Sequence, residues 1–312
     1  MVEGVDRDFV ASQTNAKRLS DRSLLRFQYC SDLHLEFYSD KYDMSKLLEP
    51  SANYLIVAGD LCTVEHPNFA RFFDEYCSKY KYIFYTTGNH EYYSHTRMCM
   101  SDIEIQIRMI LDKYPNVIYL QNTCVSLDSN GDITELAEYL PDSVTLCGTT
   151  LWSPIKSKLS EMIRRAISDY SMIWVDNNRR ITPSEITQKY KINHAWLDYE
   201  LSDMVSKCVI ISHHLPSHSC VDSKYKESPF NCAFAAECDD IIQRYLSTKS
   251  CVWVCGHTHS SIDMDIKERY QNLKKQNDDS VTTSENKCRV VCNPKGYNNE
   301  NPEYSKSKTF VV

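Results

Sequence analysis

Five apolar, strand-like runs along this chain each stop on residues that can ligate a metal ion. LLRFQYCS leads into Asp32-Leu33-His34, NYLIVA into Gly59-Asp60, and YIFYTT into Gly88-Asn89-His90-Glu91. CVIIS leads into His213-His214, and CVWVC into Gly256-His257-Thr258-His259. Histidine, aspartate and asparagine are ligands for borderline and hard divalent cations. Open α/β sheets place their sites at the carboxyl ends of strands, so five such groups can converge on one sheet edge. Asp32 and His34 are two residues apart and leave the same face of the chain, as do His257 and His259. Gly59 lets the backbone turn close to whatever Asp60 holds.

Between these runs the pattern is strand, motif, helix, which indicates α/β organisation. Pro67 can open a helix. Phe69, Phe72, Phe73, Tyr76 and Tyr80 recur at three- and four-residue steps and give it an apolar face. A second helix is expected over roughly 94–114. Short strands follow over 117–150, with Asn130-Gly131 as a turn signal. Residues 152–206 break the rhythm with two helical stretches, about 155–169 and 183–205, and read as a cap inserted in the core domain. Strand 207–211, helix 232–246 and strand 251–255 resume it. Residues 1–23 read as a flexible leader, 24–312 as the domain, and 267–287 as an exposed polar loop between two terminal strands.

With 42% hydrophobic residues in 312, a sizeable core is possible. A net charge of −7 gives no broad basic surface for nucleic acid. No stretch is apolar and long enough to span a membrane. The 14 cysteines are scattered singly, without a C-x-x-C pair. They read as reduced, buried residues of a cytoplasmic protein, not as a disulfide framework.

In order and spacing the five segments resemble the calcineurin-like metallophosphoesterase superfamily, whose pattern is D-x-H, G-D, G-N-H-E or D, a lone H, and G-H-x-H. The resemblance spans residues 26 to about 297. SDLHLEF, LCGTTLWS, SHHLPS, GHTHSS and VVCNPKGY further resemble a branch of small, mostly bacterial phosphohydrolases of ill-defined substrate. The implied fold is a four-layer αββα sandwich of two mixed sheets with a helical cap insertion. The implied cofactors are two divalent metal ions, manganese foremost, with iron or zinc as alternatives. The resemblance gives the first ion Asp32, His34, Asp60 and His259. It gives the second Asp60, Asn89, His213 and His257, with Asp60 shared. His90 is then the catalytic acid and not a ligand. The implied reaction is phosphoester hydrolysis by metal-activated water, on a small substrate, with phosphodiesters, of nucleotides or other small diesters, favoured and monoesters the alternative. A non-catalytic scaffold on the same fold is the other reading.

His213 and His214 compete for one ligand position. His213 directly follows the strand and is favoured, which leaves His214 as a supporting or substrate contact. Arg164, Arg165, Arg179 and Arg180 of the cap are either a solvated face or holders of a substrate phosphate. Three departures from relatives stand out. The longer family motif G-D-x-x-D here reads Gly59-Asp60-Leu61-Cys62-Thr63, so the second acid, which often orients the catalytic histidine, is missing. Thr87 stands where protein serine/threonine phosphatases carry arginine. Asp32 stands where lariat debranching enzymes carry cysteine.

Overall fold

The computed structural model describes residues 24–135, 142–246, 250–266, 288–298 and 300–312. The expected leader (1–23) and polar loop (267–287) lie outside the described residues. The strands are β1 (Arg26–Cys30), β2 (Tyr54–Ala58), β3 (Tyr82–Thr86), β4 (Val117–Tyr119), β5 (Thr123–Leu127), β6 (Ile133–Thr134) and β7 (Val144–Thr149). They continue with β8 (Trp174–Asp176), β9 (Arg179–Arg180), β10 (Lys207–Ser212), β11 (Cys251–Cys255), β12 (Ile262–Ile266), β13 (Cys288–Cys292) and β14 (Thr309–Val311). One sheet runs β14-β1-β2-β3-β4, and a second runs β12-β13-β11-β10-β7-β5-β6. The first is parallel from β1 to β4 with β14 antiparallel at one edge, and the second has a parallel centre (β13-β11-β10-β7) with antiparallel pairs at both edges.

Strands buried on both faces read as continuous apolar runs, and the layers account for them. Phe27, Ile56 and Phe84 of the first sheet meet Leu146, Val209, Ile211 and Val254 of the second in one cluster. The outer face of the first sheet packs Leu55, Val57 and Tyr85 against helix α1 (Asn68–Tyr76) and helix α2 (Met100–Leu111). Phe69, Phe72, Phe73 and Tyr76 of α1 are fully buried, as the spacing predicts. The outer face of the second sheet packs Ile210 and Trp253 against Leu197 and Leu201. The order is therefore helix, sheet, sheet, helix.

Three helical expectations differ. The second helix starts at Met100, not Ser94, because Ser94 N donates to Met172 O (3.1 Å) and Met98 N to the Ser94 hydroxyl (2.8 Å). Residues 155–169 split into helix α3 (Ser160–Ala166) and helix α4 (Asp169–Met172), followed by the β8–β9 hairpin. The expected helix 232–246 is absent over its first half. There Leu215 N bonds Phe234 O (3.2 Å) and Ala236 N bonds Leu215 O (2.8 Å), so residues 234–236 pair like strand. Helix α5 (Pro183–Ser202) begins where Thr182 and Glu185 close a capping box.

The cysteine expectation needs one correction. Cys124 on β5 and Cys147 on β7 are directly paired across the strands, with Cα atoms 4.2 Å apart and the sulfurs bonded as a disulfide. That is the close spacing of an antiparallel pair, which single-residue scatter along the sequence does not reveal. The other twelve cysteines are free.

Candidate metal centre

The carboxyl ends of β1, β2 and β3 in one sheet and of β10 and β11 in the other meet at one edge of the sandwich. Backbone bonds hold the turns together: Asp32 N to Gly59 O and His34 N to Asp60 O (both 3.0 Å), and Gly256 N to His213 O (2.9 Å). Asp32, His34, Asp60, His257 and His259 all sit in left-handed backbone, with φ between 46° and 66°. Such conformations cost about 1–3 kcal/mol each and gather at functional sites. Two glycines make room. A Cβ on Gly59 (φ 79°) would meet His213 Nδ1 at 2.5 Å, and one on Gly88 would strike an Asp60 carboxylate oxygen.

Asp32, His34 and His259 form one group whose donor atoms face one another, and Asp60, His213 and His257 form a second. In the first, His34 Nε2 is 3.0 Å from His259 Nε2, and His259 Nε2 is 3.4 Å from Asp32 Oδ1. In the second, His213 Nε2 is 3.1 Å from Asn89 Oδ1, 3.2 Å from His257 Nδ1 and 3.3 Å from Asp60 Oδ2. The same Asp60 oxygen is 3.8 Å from His34 Nε2, so Asp60 faces both groups.

The far ring nitrogens are engaged as metal-binding histidines require. His213 Nδ1 bonds the Ala58 carbonyl (2.9 Å), and His259 Nδ1 bonds Glu300 (2.6 Å). Each Nε2 lone pair is thereby aimed into the cluster. This N/O donor set fits a pair of divalent cations. Without them, protons do the neutralising. Burial pulls His213 down, but Asp60, Asp32 and the hydrogen bonds outweigh it and hold the imidazole up at about 10. His259 is likewise held up at about 9 against burial, by Asp32 and then Glu300. Burial pushes Asp32 up, but the His259 hydrogen bond and nearby imidazoles bring it down to about 2. His257, buried beside His214 and His213, is pushed well below the usual imidazole range and stays a neutral donor.

His90 lies at the edge of the cluster, 7% exposed. Its backbone N–H donates to Asp60 Oδ1 (2.8 Å). Its Nδ1 bonds Glu36 Oε1 (2.8 Å), and its Nε2 meets the Tyr297 hydroxyl (3.0 Å). Burial lowers the His90 pKa, yet the charges of Asp60 and Glu36 and the Glu36 hydrogen bond leave it raised. Glu91, fully buried, accepts from Gly88 N (2.7 Å), Leu61 N (2.8 Å), Asp60 N (3.1 Å) and the Tyr85 hydroxyl (3.0 Å). It thus ties the turn after β2 to the turn after β3.

All seven residues expected to ligate therefore converge, and His90 adjoins them. His214 does not face the cleft. It is 1% exposed, with Nδ1 on Ser153 Oγ (2.7 Å), its ring stacked 4.2 Å from that of His257, and Nε2 unpartnered. Of the two expectations for His214, supporting or substrate contact, these neighbours fit the supporting one, packed behind His257. The four arginines are not among the described residues that line the cleft. Arg164 and Arg165 pair with Glu161 (2.9 and 2.7 Å), Arg179 with Glu185 (3.0 Å), and Arg180 lies over the Trp174 ring (3.5 Å). Arg164, Arg165 and Arg179 follow the exposed faces of their elements and hold neighbouring acids, and Arg180 packs on an aromatic ring.

Four residues that sequence reasoning did not assign belong to the site. Glu36 bonds His90, Glu300 bonds His259, and Tyr297 covers His90 and lies 4.4 Å from the His34 ring. Asp169, from the 152–206 segment, accepts from Asn89 Nδ2 (2.8 Å) and the Tyr93 hydroxyl (2.6 Å). That turns the Asn89 oxygen toward His213. Glu36 could have been suspected from its place in SDLHLEF. Asp169 carries no sequence signal.

The calcineurin-like phosphoesterase family matches residues 25–261, and the chain belongs to that family. An uncharacterized protein of Acanthamoeba polyphaga mimivirus is 30% identical over 253 residues, covering 74% of this chain and 84% of that one. The crystal structure of a phosphopantetheinyl hydrolase from Mycobacterium tuberculosis superposes with a TM-score of 0.63 at 14% identity, over 93% of this chain and 96% of that one. At that identity the likeness speaks to the fold.

Proposed function

We propose that this chain is a dinuclear metal-dependent phosphoesterase that prefers small phosphodiesters, nucleotide diesters among them. One observation carries the reading: two groups of N/O donors face each other across Asp60, with His90 at their rim. Asp32, His34, Asp60 and His259 would hold one ion, and Asp60, Asn89, His213 and His257 the other. Manganese suits these donors, as do iron and zinc. When bound, such a pair neutralises phosphoryl oxygens and acidifies water. The placement in a branch of small phosphohydrolases rests on the SDLHLEF and SHHLPS segments.

The chain's own residues supply the proton. Glu36 accepts the Nδ1–H of His90 and favours its imidazolium form, whose Nε2–H can protonate the departing alkoxide. Tyr297 holds Nε2 until substrate enters. Asp169 and Tyr93 keep the Asn89 amide oriented. A cleft of about 750 Å³ extends from these residues, which gives the second arm of a diester a place to lie. Ala166, Ile167, Ser168 and Met172 of the 152–206 segment line the cleft, so that insertion shapes the substrate site while the sandwich performs the chemistry.

The test is metal analysis joined to two assays. Protein loaded with manganese should hold about two ions and hydrolyse bis-p-nitrophenyl phosphate faster than p-nitrophenyl phosphate. The reverse order reassigns it as a monoesterase. Two bound ions with neither ester hydrolysed would leave a binding scaffold.

A further inference from the structure

The cleft beside the metal-site residues has an unusual lining for an enzyme of phosphate esters. Among its described residues there is no lysine or arginine; the carboxylates are Glu36, Asp60 and Glu300, and beyond the histidines of the metal cluster and its rim (His90, His257 and His259) the only other basic side chain is His95. Ile167 and Met172 form one wall, and Leu215, Phe230 and Phe234 the other. The apolar surface begins at the centre itself, since the Phe234 ring stacks on His257 at 4.7 Å. It ends at Phe37, Tyr225 and Tyr297, large side chains left 61%, 45% and 38% exposed, all at this cleft. Exposed apolar surface gathered around a pocket marks where an apolar ligand is covered.

A polyphosphate needs cationic side chains or further metal along its path. Here a second phosphate would meet carboxylates and aromatic rings. We infer that the cleft takes a phosphoester with a single phosphate group and an uncharged apolar arm, alkyl or aryl, and turns away substrates with further phosphates. The inference rests on the phosphoesterase reading for the phosphate end alone. The arm is defined by the lining.

Binding of non-hydrolysable alkylphosphonates to the manganese-loaded protein tests it without turnover. From methyl- to butyl- to octylphosphonate, affinity should rise by roughly fourfold per methylene over the first few carbons. Phe230→Ala should flatten that series and leave methylphosphonate unchanged. Octane-1,8-diphosphonate should bind at least about tenfold more weakly than octylphosphonate, since its distal charge sits in an apolar, acidic lining. Ile167→Lys should recover that loss. Affinity independent of chain length, or a diphosphonate bound as tightly as the monophosphonate, would overturn the inference. Hydrolysis of methyl p-nitrophenyl phosphate is measured beside it. No hydrolysis with an intact binding series would sink the phosphoesterase reading and leave the cleft assignment standing.

Discussion

Glu36 Oε1 lies 2.8 Å from Nδ1 of His90 and 3.3 Å from Nδ1 of His34. Burial pushes this carboxyl up, but the hydrogen bonds and charges of the two histidines hold it down at about 2. The family's usual acid in G-D-x-x-D is Thr63 here, and Thr63 also lines the cleft. An acid from the turn after β1 therefore makes the hydrogen bond to His90 that the resemblance assigns to the turn after β2.

Glu36→Gln should lower kcat on an alkyl diester with a poor leaving group by about ten- to a hundredfold, within the range of general acid catalysis. It should change p-nitrophenyl turnover less, because that leaving group needs little proton donation. Adding Thr63→Asp to Glu36→Gln should restore part of the loss. Metal analysis of each variant separates an effect on His90 from one on His34. Equal losses on both substrates, with no recovery in the double variant, would show that Glu36 only supports the metal ligand.

Asp169 joins the 152–206 segment to the centre through Asn89 and Tyr93. Removing it leaves buried donors unpaired, which costs about 1–3 kcal/mol, and frees the Asn89 amide to rotate. Asp169→Ala should weaken the second of two manganese binding steps by about ten- to a hundredfold, the usual effect of losing a ligand's outer partner. Calorimetric titration resolves the two steps. An unchanged second step would mean that Tyr93 alone orients Asn89.

The five strand ends were legible because their strands are buried on both faces and their ligands sit within four residues of the last strand position. Asp32, Asp60 and His257 could be placed from local pattern alone. Asp169 could not, since it meets Asn89 across eighty residues of sequence. Glu300 reaches His259 across forty-one and belongs to the same class of contact. Helix limits failed where backbone donors go to non-local acceptors, as at Ser94 and Leu215. The alternative left open for Arg164 and Arg165 had a local indicator: Glu161 stands three and four residues before them, the spacing of paired charges on an exposed helix face.

His213 and His214 are adjacent but look in opposite directions. His213 Nε2 faces Asn89, His257 and Asp60, while the His214 ring is packed between Trp152 and His257. His213→Ala should remove the second ion and most activity. His214→Phe keeps the ring, and its lost Nε2 has no partner to strand. That variant should retain both ions and activity within a few-fold, with a modest fall in Tm from the unpaired Ser153 hydroxyl. Loss of an ion in His214→Phe, with His213→Ala fully loaded, would reverse the assignment.

The protons that neutralise the metal-free cluster set a pH signature. His213 and His259 are held up at about 10 and 9 in the fold, against about 6.5 in an unfolded chain. Their stabilisation is complete below that unfolded value and is lost as pH rises through about 9–10. Asp32 and Glu36, held at about 2, stabilise above their unfolded values of about 4 and lose that contribution as pH falls toward 2. Chelated protein should therefore lose Tm as pH rises from about 6.5 to 10, and again as pH falls toward 2. Cations compete with the same protons, so loading at pH 8 should release about two protons per chain. The buffer dependence of the calorimetric enthalpy measures that release. Manganese should raise Tm most on the alkaline side, where the histidines no longer carry charge. A chelated protein with a flat Tm from pH 6.5 to 9.5, or metal uptake without proton release at pH 8, would show that the imidazoles are neutral before the ions arrive.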